Sequence, residues 1–116
     1  MTGRITNNLI EVRQGDSFTI RFQFRDRCKP IDMSGSKVTM QVRDEFGKVL
    51  ISKLATEVDL AHGKFVLMLT PLDTSIEVGD YNTDIQIEMP DGRINTFFPS
   101  DVRKTGIFRV TEQVTR

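Results

Sequence analysis

Nine consecutive residues, Ser17-Phe18-Thr19-Ile20-Arg21-Phe22-Gln23-Phe24-Arg25, alternate polar and apolar side chains without a break. In an extended chain successive side chains point to opposite faces. Phe18, Ile20, Phe22 and Phe24 therefore share one face, and Thr19, Arg21, Gln23 and Arg25 the other. A helix would scatter the four apolar residues around its circumference. The pattern predicts a half-buried strand and requires a second layer over its phenylalanine side.

The same period runs through the rest of the chain. Leu9-Ile10-Glu11-Val12 predicts a short strand before a Gln14-Gly15-Asp16 turn. Val38, Met40 and Val42 alternate next, and Asp44-Glu45-Phe46-Gly47 connects them to Lys48-Val49-Leu50-Ile51-Ser52. Glu57-Val58-Asp59-Leu60 leads through Ala61-His62-Gly63 into Lys64-Phe65-Val66-Leu67-Met68-Leu69-Thr70, whose two apolar faces predict cover on both sides. Tyr81, Ile85, Ile87 and Met89 mark a further inward face, and Pro90-Asp91-Gly92 tolerates the positive φ of a tight hairpin. Arg93-Ile94-Asn95-Thr96-Phe97-Phe98 returns, and Gly106-Ile107-Phe108-Arg109-Val110-Thr111 closes the series. About seven or eight short strands between turn signals predict an all-β antiparallel sandwich. One segment departs from period two. Near residues 71–77, Thr70-Pro71 and Gly79 are helix start and stop signals, predicting one short helical turn whose Leu72, Ile76 and Val78 lid the sandwich.

With 116 residues, 16 basic and 16 acidic side chains, the chain has material for one core. Its net charge of zero lacks the basic excess that nucleic-acid binding needs. The one Cys excludes an internal disulfide and a multi-cysteine zinc site. The longest apolar run, at 65–69, is far short of a membrane span, and the polar start of the chain lacks the apolar stretch of a secretory signal. A soluble protein made in a reducing compartment is expected. Residues 1–8 read as an N-terminal arm, 9–111 as the sandwich and 112–116 as a C-terminal tail.

Catalytic chemistry finds little material. His62 is the single imidazole, in an expected turn, with no nucleophile, orienting carboxylate or further metal ligand apparent beside it. Cys28 sits in a charged loop and reads as an ordinary loop thiol. The many aspartates fall mostly at turns, where Asp bonds its own backbone. No catalytic residue, metal or cofactor is expected.

Arg21, Arg25, Arg27 and Lys29 are odd-numbered, so they line the outward face of the Phe-rich strand and continue into its loop. A solvated sheet face accounts for such residues. So does a patch that meets an acidic surface on a neighbouring protein, where the planar donor fork of Arg is favoured. Phe18, Phe22 and Phe24 point the other way, and stacking platforms for nucleic acid need aromatics on the exposed face. The polar 99–105 loop adds Arg103 and Lys104 as further candidate partner contacts.

The order of these signals resembles a known family. The series runs from Ile10-Glu11-Val12-Arg13-Gln14-Gly15-Asp16-Ser17-Phe18-Thr19-Ile20 through the corner Pro30-Ile31-Asp32-Met33-Ser34-Gly35 to Val38-Thr39-Met40-Gln41-Val42-Arg43. Gly63-Lys64-Phe65-Val66-Leu67-Met68-Leu69-Thr70-Pro71, then Gly79-Asp80-Tyr81 with Asp84-Ile85-Gln86-Ile87, a Pro-Asp-Gly-Arg hairpin and Gly106-Ile107-Phe108-Arg109-Val110 complete it. The whole is similar to the compact immunoglobulin-like domain of phage tail proteins, as in the N-terminal domain of baseplate upper proteins of phages infecting Gram-positive hosts. The likeness spans residues 9–111. It implies an immunoglobulin-like sandwich in a virion tail or baseplate, synthesised in the host cytoplasm and assembling with other tail or baseplate proteins.

A homo-oligomeric ring is expected, without catalysis, nucleic acid or membrane insertion. Basic residues at 21–29 and acidic ones at 77–84 suit head-to-tail contacts, and the N-terminal arm suits strand addition to a neighbour. The alternative is a carbohydrate- or host-receptor-binding module, which an exposed Phe46 or Phe97 beside a cleft would favour. Two features depart from the family. The 99–105 segment is longer and more charged than a simple hairpin return, and no receptor-binding or fibre-anchoring region follows Arg116, so a free-standing building block is expected.

Overall fold

The computed structural model describes residues 3–6, 8–99 and 103–112. Its strands are β1 (Gly3–Thr6), β2 (Leu9–Arg13), β3 (Phe18–Gln23), β4 (Arg25–Asp26), β5 (Lys29–Pro30) and β6 (Lys37–Arg43) in the first half. The second half carries β7 (Val49–Leu54), β8 (Thr56–Asp59), β9 (Lys64–Leu69), β10 (Gly79–Glu88), β11 (Ile94–Phe98) and β12 (Gly106–Thr111). Among the described residues the larger sheet has seven strands, ordered β1-β2-β12-β10-β6-β7 with β11 also on β10. The smaller has three, ordered β3-β9-β8, and β4 and β5 form a separate hairpin.

β10 is long enough to hold two partners along one side. β11 lies opposite residues 85–88 and β12 opposite residues 79–83, so the last two strands are one sheet position interrupted by the 99–105 excursion. β2 joins β12 in parallel, and β1 folds back antiparallel on β2. The N-terminal segment expected to reach a neighbour's sheet edge thus extends the edge of its own. The facing sets β3-β9-β8 and β12-β10-β6-β7 have the strand distribution of an immunoglobulin-like sandwich. Tyr81, near the start of β10, donates its hydroxyl to the Glu77 carbonyl at 2.6 Å, the corner bond such sandwiches make where the chain crosses between sheets.

Alternation puts the core where the sequence places it. Ile10, Val12, Phe18, Ile20, Val38, Met40, Val42, Ile51, Phe65, Leu67, Leu69, Ile85, Ile87, Phe108 and Val110 are all buried between the sheets. Thr83 is buried on the same face of β10, its hydroxyl donating to the Gln41 carbonyl at 2.7 Å.

Four local expectations change. β3 ends at Gln23 rather than continuing to Arg25, and Phe22 and Phe24 are only half-buried, closing the end of the sandwich by edge-on contacts with Phe97. The outer face of β9 is not covered: Met68 is 52% exposed and Val66 half-buried, because the smaller sheet carries no described layer beyond it. Residues 71–77 make the one short helical turn expected there, with Thr74 N–H donating to the Thr70 carbonyl. Of its expected lid residues Ile76 packs against the core, but Val78 and Leu72 do not. Leu72 is 83% exposed, whereas Thr74 is buried because its hydroxyl reaches the Asp16 carbonyl at 2.7 Å. Finally, the Leu60–His62 segment between β8 and β9 is a turn of 3-10 helix where a plain hairpin loop is expected.

The 70–74 turn is fastened to both sheets. Thr70 N–H donates to the Asp73 carboxylate at 2.8 Å and Asp73 N–H donates back to the Thr70 hydroxyl at 3.2 Å, a reciprocal cap. Lys53 of β7 reaches the same carboxylate at 2.8 Å. Partial burial alone would raise the Asp73 pKa, but the Lys53 and Thr70 hydrogen bonds outweigh it and hold the carboxyl below its ordinary value. The stability this carboxylate contributes is therefore present above the unfolded-state value of about 3.9 and is lost as pH falls through the lower folded-state value. Asp73→Asn should lower the urea midpoint at neutral pH, and its difference from wild type should shrink below about pH 4. A difference that grows with acidification would contradict this.

Gly106, at the start of β12, is needed for space. A β-carbon there would stand 2.2 Å from the Thr83 carbonyl oxygen and 3.0 Å from Pro99 Cδ. Thr83 is the ladder partner of Gly106, and Pro99 follows the end of β11. Gly106→Ala should cost about 2–3 kcal/mol in urea unfolding, because backbone rather than a flexible side chain must give way.

Candidate partner interface

The basic series begins where β3 leaves the sheet. Phe24 N–H donates to the Gly63 carbonyl and Ile31 N–H to the Phe24 carbonyl, both at 3.0 Å, so the chain turns out of the ladder between these two bonds. Gly63 makes the close approach possible. Its φ is +69°, and a β-carbon would meet the Ile31 and Phe24 carbonyl oxygens at 2.7 and 2.9 Å. The six residues between the bonds form the β4–β5 hairpin, with Arg25 opposite Pro30 and Asp26 opposite Lys29.

The two-residue tip of this hairpin is Arg27-Cys28, and both residues have positive φ, +50° and +69°. That is the backbone of a tight hairpin turn, normally given to Asn-Gly. Left-handed backbone costs a residue with a β-carbon about 1–2 kcal/mol. The fold thus holds a strained tip that presents an arginine and a thiol to solvent, since Arg27 and Cys28 are both exposed. Arg25 is anchored by Nε donating to Gln23 Oε1 at 2.8 Å. Arg21 is exposed on the outer face of β3, opposite Val66 of β9. The acidic residue within the hairpin, Asp26, lies across from Lys29.

Arg21, Arg25, Arg27 and Lys29 therefore belong to one end of the smaller sheet and its hairpin. Arg103 and Lys104 do not join them. Both are exposed in the excursion between β11 and β12, and Lys104 lines a groove of about 530 Å³ on the outer face of the larger sheet with Gln41, Arg43, Asn82 and Asp84. The separation follows from topology, because β3 is in the smaller sheet and the 99–105 segment interrupts a position of the larger one. Residues 100–102 of that segment lie outside the described residues. The six candidates form two surfaces rather than one.

The acidic stretch is less available than its composition suggests. Arg109 grips Asp80 through two hydrogen bonds, Nε at 2.8 Å and Nη2 at 3.1 Å. Those bonds hold the Asp80 carboxyl below the usual carboxylate range. His62 does have a carboxylate beside it: the 3-10 turn brings its Nδ1 to 2.8 Å from Asp59 Oδ2, with both side chains well exposed. Among the described residues no group of three or more His, Cys, Asp or Glu side chains converges as a metal site. Of the two aromatics that would mark a sugar cleft, Phe97 packs edge-on against Phe22 and Phe24, and Phe46 is 87% exposed but does not line the polar groove. No helix among the described residues is long and apolar enough to cross a membrane.

No family model matches the sequence, and no curated protein matches it. Solved structures do resemble the fold. The N-terminal domain of ORF48 of phage TP901-1 superposes with a TM-score of 0.52 at 17% identity, over 97% of this chain and 92% of that one. CopC from Methylosinus trichosporium OB3b gives a TM-score of 0.48 at 16% identity, over 91% and 86% of the two chains. Murine CRIg gives 0.39 at 10% identity, over 91% and 92%. The likeness to the phage domain is one of fold.

Proposed function

We propose that this chain is a structural component of a bacteriophage tail or baseplate and acts there as an oligomeric assembly module without catalysis. The observation that carries the reading is that the sandwich is shared, over nearly the full length of both chains, with an N-terminal domain from a phage protein. The family resemblance of the ordered sequence signals supports the same setting. Its partners are other tail or baseplate proteins and further copies of itself, and its location is the virion tail.

The contact surface is the Arg21, Arg25, Arg27 and Lys29 end of the smaller sheet. Three arginines in one exposed hairpin and strand suit bidentate recognition of carboxylates on a neighbour. The strained Arg27-Cys28 tip favours the same surface, since strain of this kind is stored at functional positions. Nucleic acid is disfavoured because the half-buried rings of Phe22, Phe24 and Phe97 pack on one another rather than offering a stacking platform.

Deleting the coding sequence from its phage should yield filled heads with absent or malformed tails in negative-stain micrographs. Normal, infectious tails after deletion would contradict the proposal.

A further inference from the structure

Phe46 is the most exposed of the large hydrophobic residues described, at 87%, and it stands at the tip of the β6–β7 hairpin. The tip is not a floppy loop. The Asp44 carboxylate accepts the N–H groups of Phe46 and Lys48, each at 2.9 Å, and Gly47 takes φ +84° to close the turn. The phenyl group therefore projects into solvent from a fixed backbone, flanked by Asp44 and Glu45. Beyond it, Val49 and Leu50 are 42% and 36% exposed on an open sheet edge.

The outer face of the smaller sheet carries the complement. A groove of about 430 Å³ is lined by Arg21, Gln23, Val58, Lys64 and Val66 together with Phe22 and Phe65. Its apolar part is Val58, 60% exposed, and Val66, with Met68, 52% exposed, next along β9. Its rim is cationic. Among the described residues no carboxylate makes an ion pair with Arg21 or Lys64; Asp59, across the ladder from Lys64, is engaged by His62.

We infer that the groove takes the Phe46 tip of a second copy of this chain. The phenyl ring of one copy enters the Val58–Val66 depression of the next, Glu45 and Asp44 meet Lys64 and Arg21, and Val49 and Leu50 lie toward Met68. The acidic pair Asp44 and Glu45 complements the basic pair Arg21 and Lys64, and a buried aromatic anchor inside a rim of paired charges is the pattern of an interface hot spot. Knob and groove are different surfaces of the chain, so the contact is head-to-tail, and repetition closes into a ring or grows as a filament. This inference rests on the reading of the chain as an assembly module and names its partner.

Sedimentation velocity on the purified chain, up to about 1 mM, tests it. Wild type should associate with rising concentration. Phe46→Ala, and separately the pair Arg21→Glu and Lys64→Glu, should each weaken association at least about thirtyfold while circular dichroism and the thermal midpoint stay as in wild type. Mixed together, the two variants should form one-to-one dimers that grow no further, because only one intact knob and one intact groove remain. A wild-type chain that stays monomeric, a Phe46→Ala variant that associates like wild type, or variants that fail to dimerise when mixed would each overturn it. Failure of the wider reading looks different: the chain would then be missing from purified virions, whatever its behaviour in the centrifuge.

Discussion

Phe65→Ala should cost about 3–5 kcal/mol of folding free energy, a large part of the 5–15 kcal/mol by which domains are stable. Phe65 is 1% exposed, sits opposite Phe22 across the β3–β9 ladder, and meets Phe24 edge-on with ring centroids 5.8 Å apart. Truncation removes the ring, leaves a cavity in the middle of the smaller sheet's inner face, and takes the support from Phe24, which in turn contacts Phe97 of the other sheet. The edge-on pair adds about 0.5–1.5 kcal/mol beyond the area it buries. Urea unfolding with an unchanged slope would read the loss as a shift in midpoint. A loss under about 1 kcal/mol would mean that the two sheets are not held together through this aromatic cluster. Phe22→Ala should cost less than Phe65→Ala, since Phe22 keeps one side toward solvent.

Reversing Arg25 and Arg27 to Glu should leave the isolated chain folded and remove it from assembled tails. Both side chains are exposed, and neither contributes to the core. Glu has the same β-carbon constraint as Arg, so the left-handed backbone at position 27 is no worse than before. Against an acidic partner, however, two attractive contacts become repulsive, and like charges brought together at an interface cost several kcal/mol. Purified particles should lose the subunit or fail to complete tails. Infectious particles with normal copy number would make the hairpin a solvated surface and move the contact to the Lys104 groove or the termini.

The strands and their inward faces were legible because a half-buried strand must alternate, and Val38-Met40-Val42 or Phe65-Leu67-Leu69 admits no other reading. What escaped was set by partners far along the chain. Thr74 is buried because Asp16 offers a carbonyl 58 positions away, and Leu72 is left outside for the same reason. The β4–β5 hairpin was invisible because Arg-Cys carries none of the turn chemistry that its backbone demands; only the bonds to Gly63 and Ile31 reveal it. The apolar second face of β9 looked like evidence of a covering layer, but Val66 and Met68 border an open groove instead. Of the candidate site, the arginines of one surface were readable from their odd-numbered spacing. That Arg103 and Lys104 lie on a different sheet follows from a strand order which spacing does not encode.

The most direct test of the central claim is quantitative mass spectrometry of purified virions, with the chain counted against the major capsid protein and tails separated from heads. A fixed copy number, in the range of tail or baseplate rings and confined to the tail fraction, is the expected result. Absence of the chain from mature particles, or its presence only in lysates of infected cells, would contradict it.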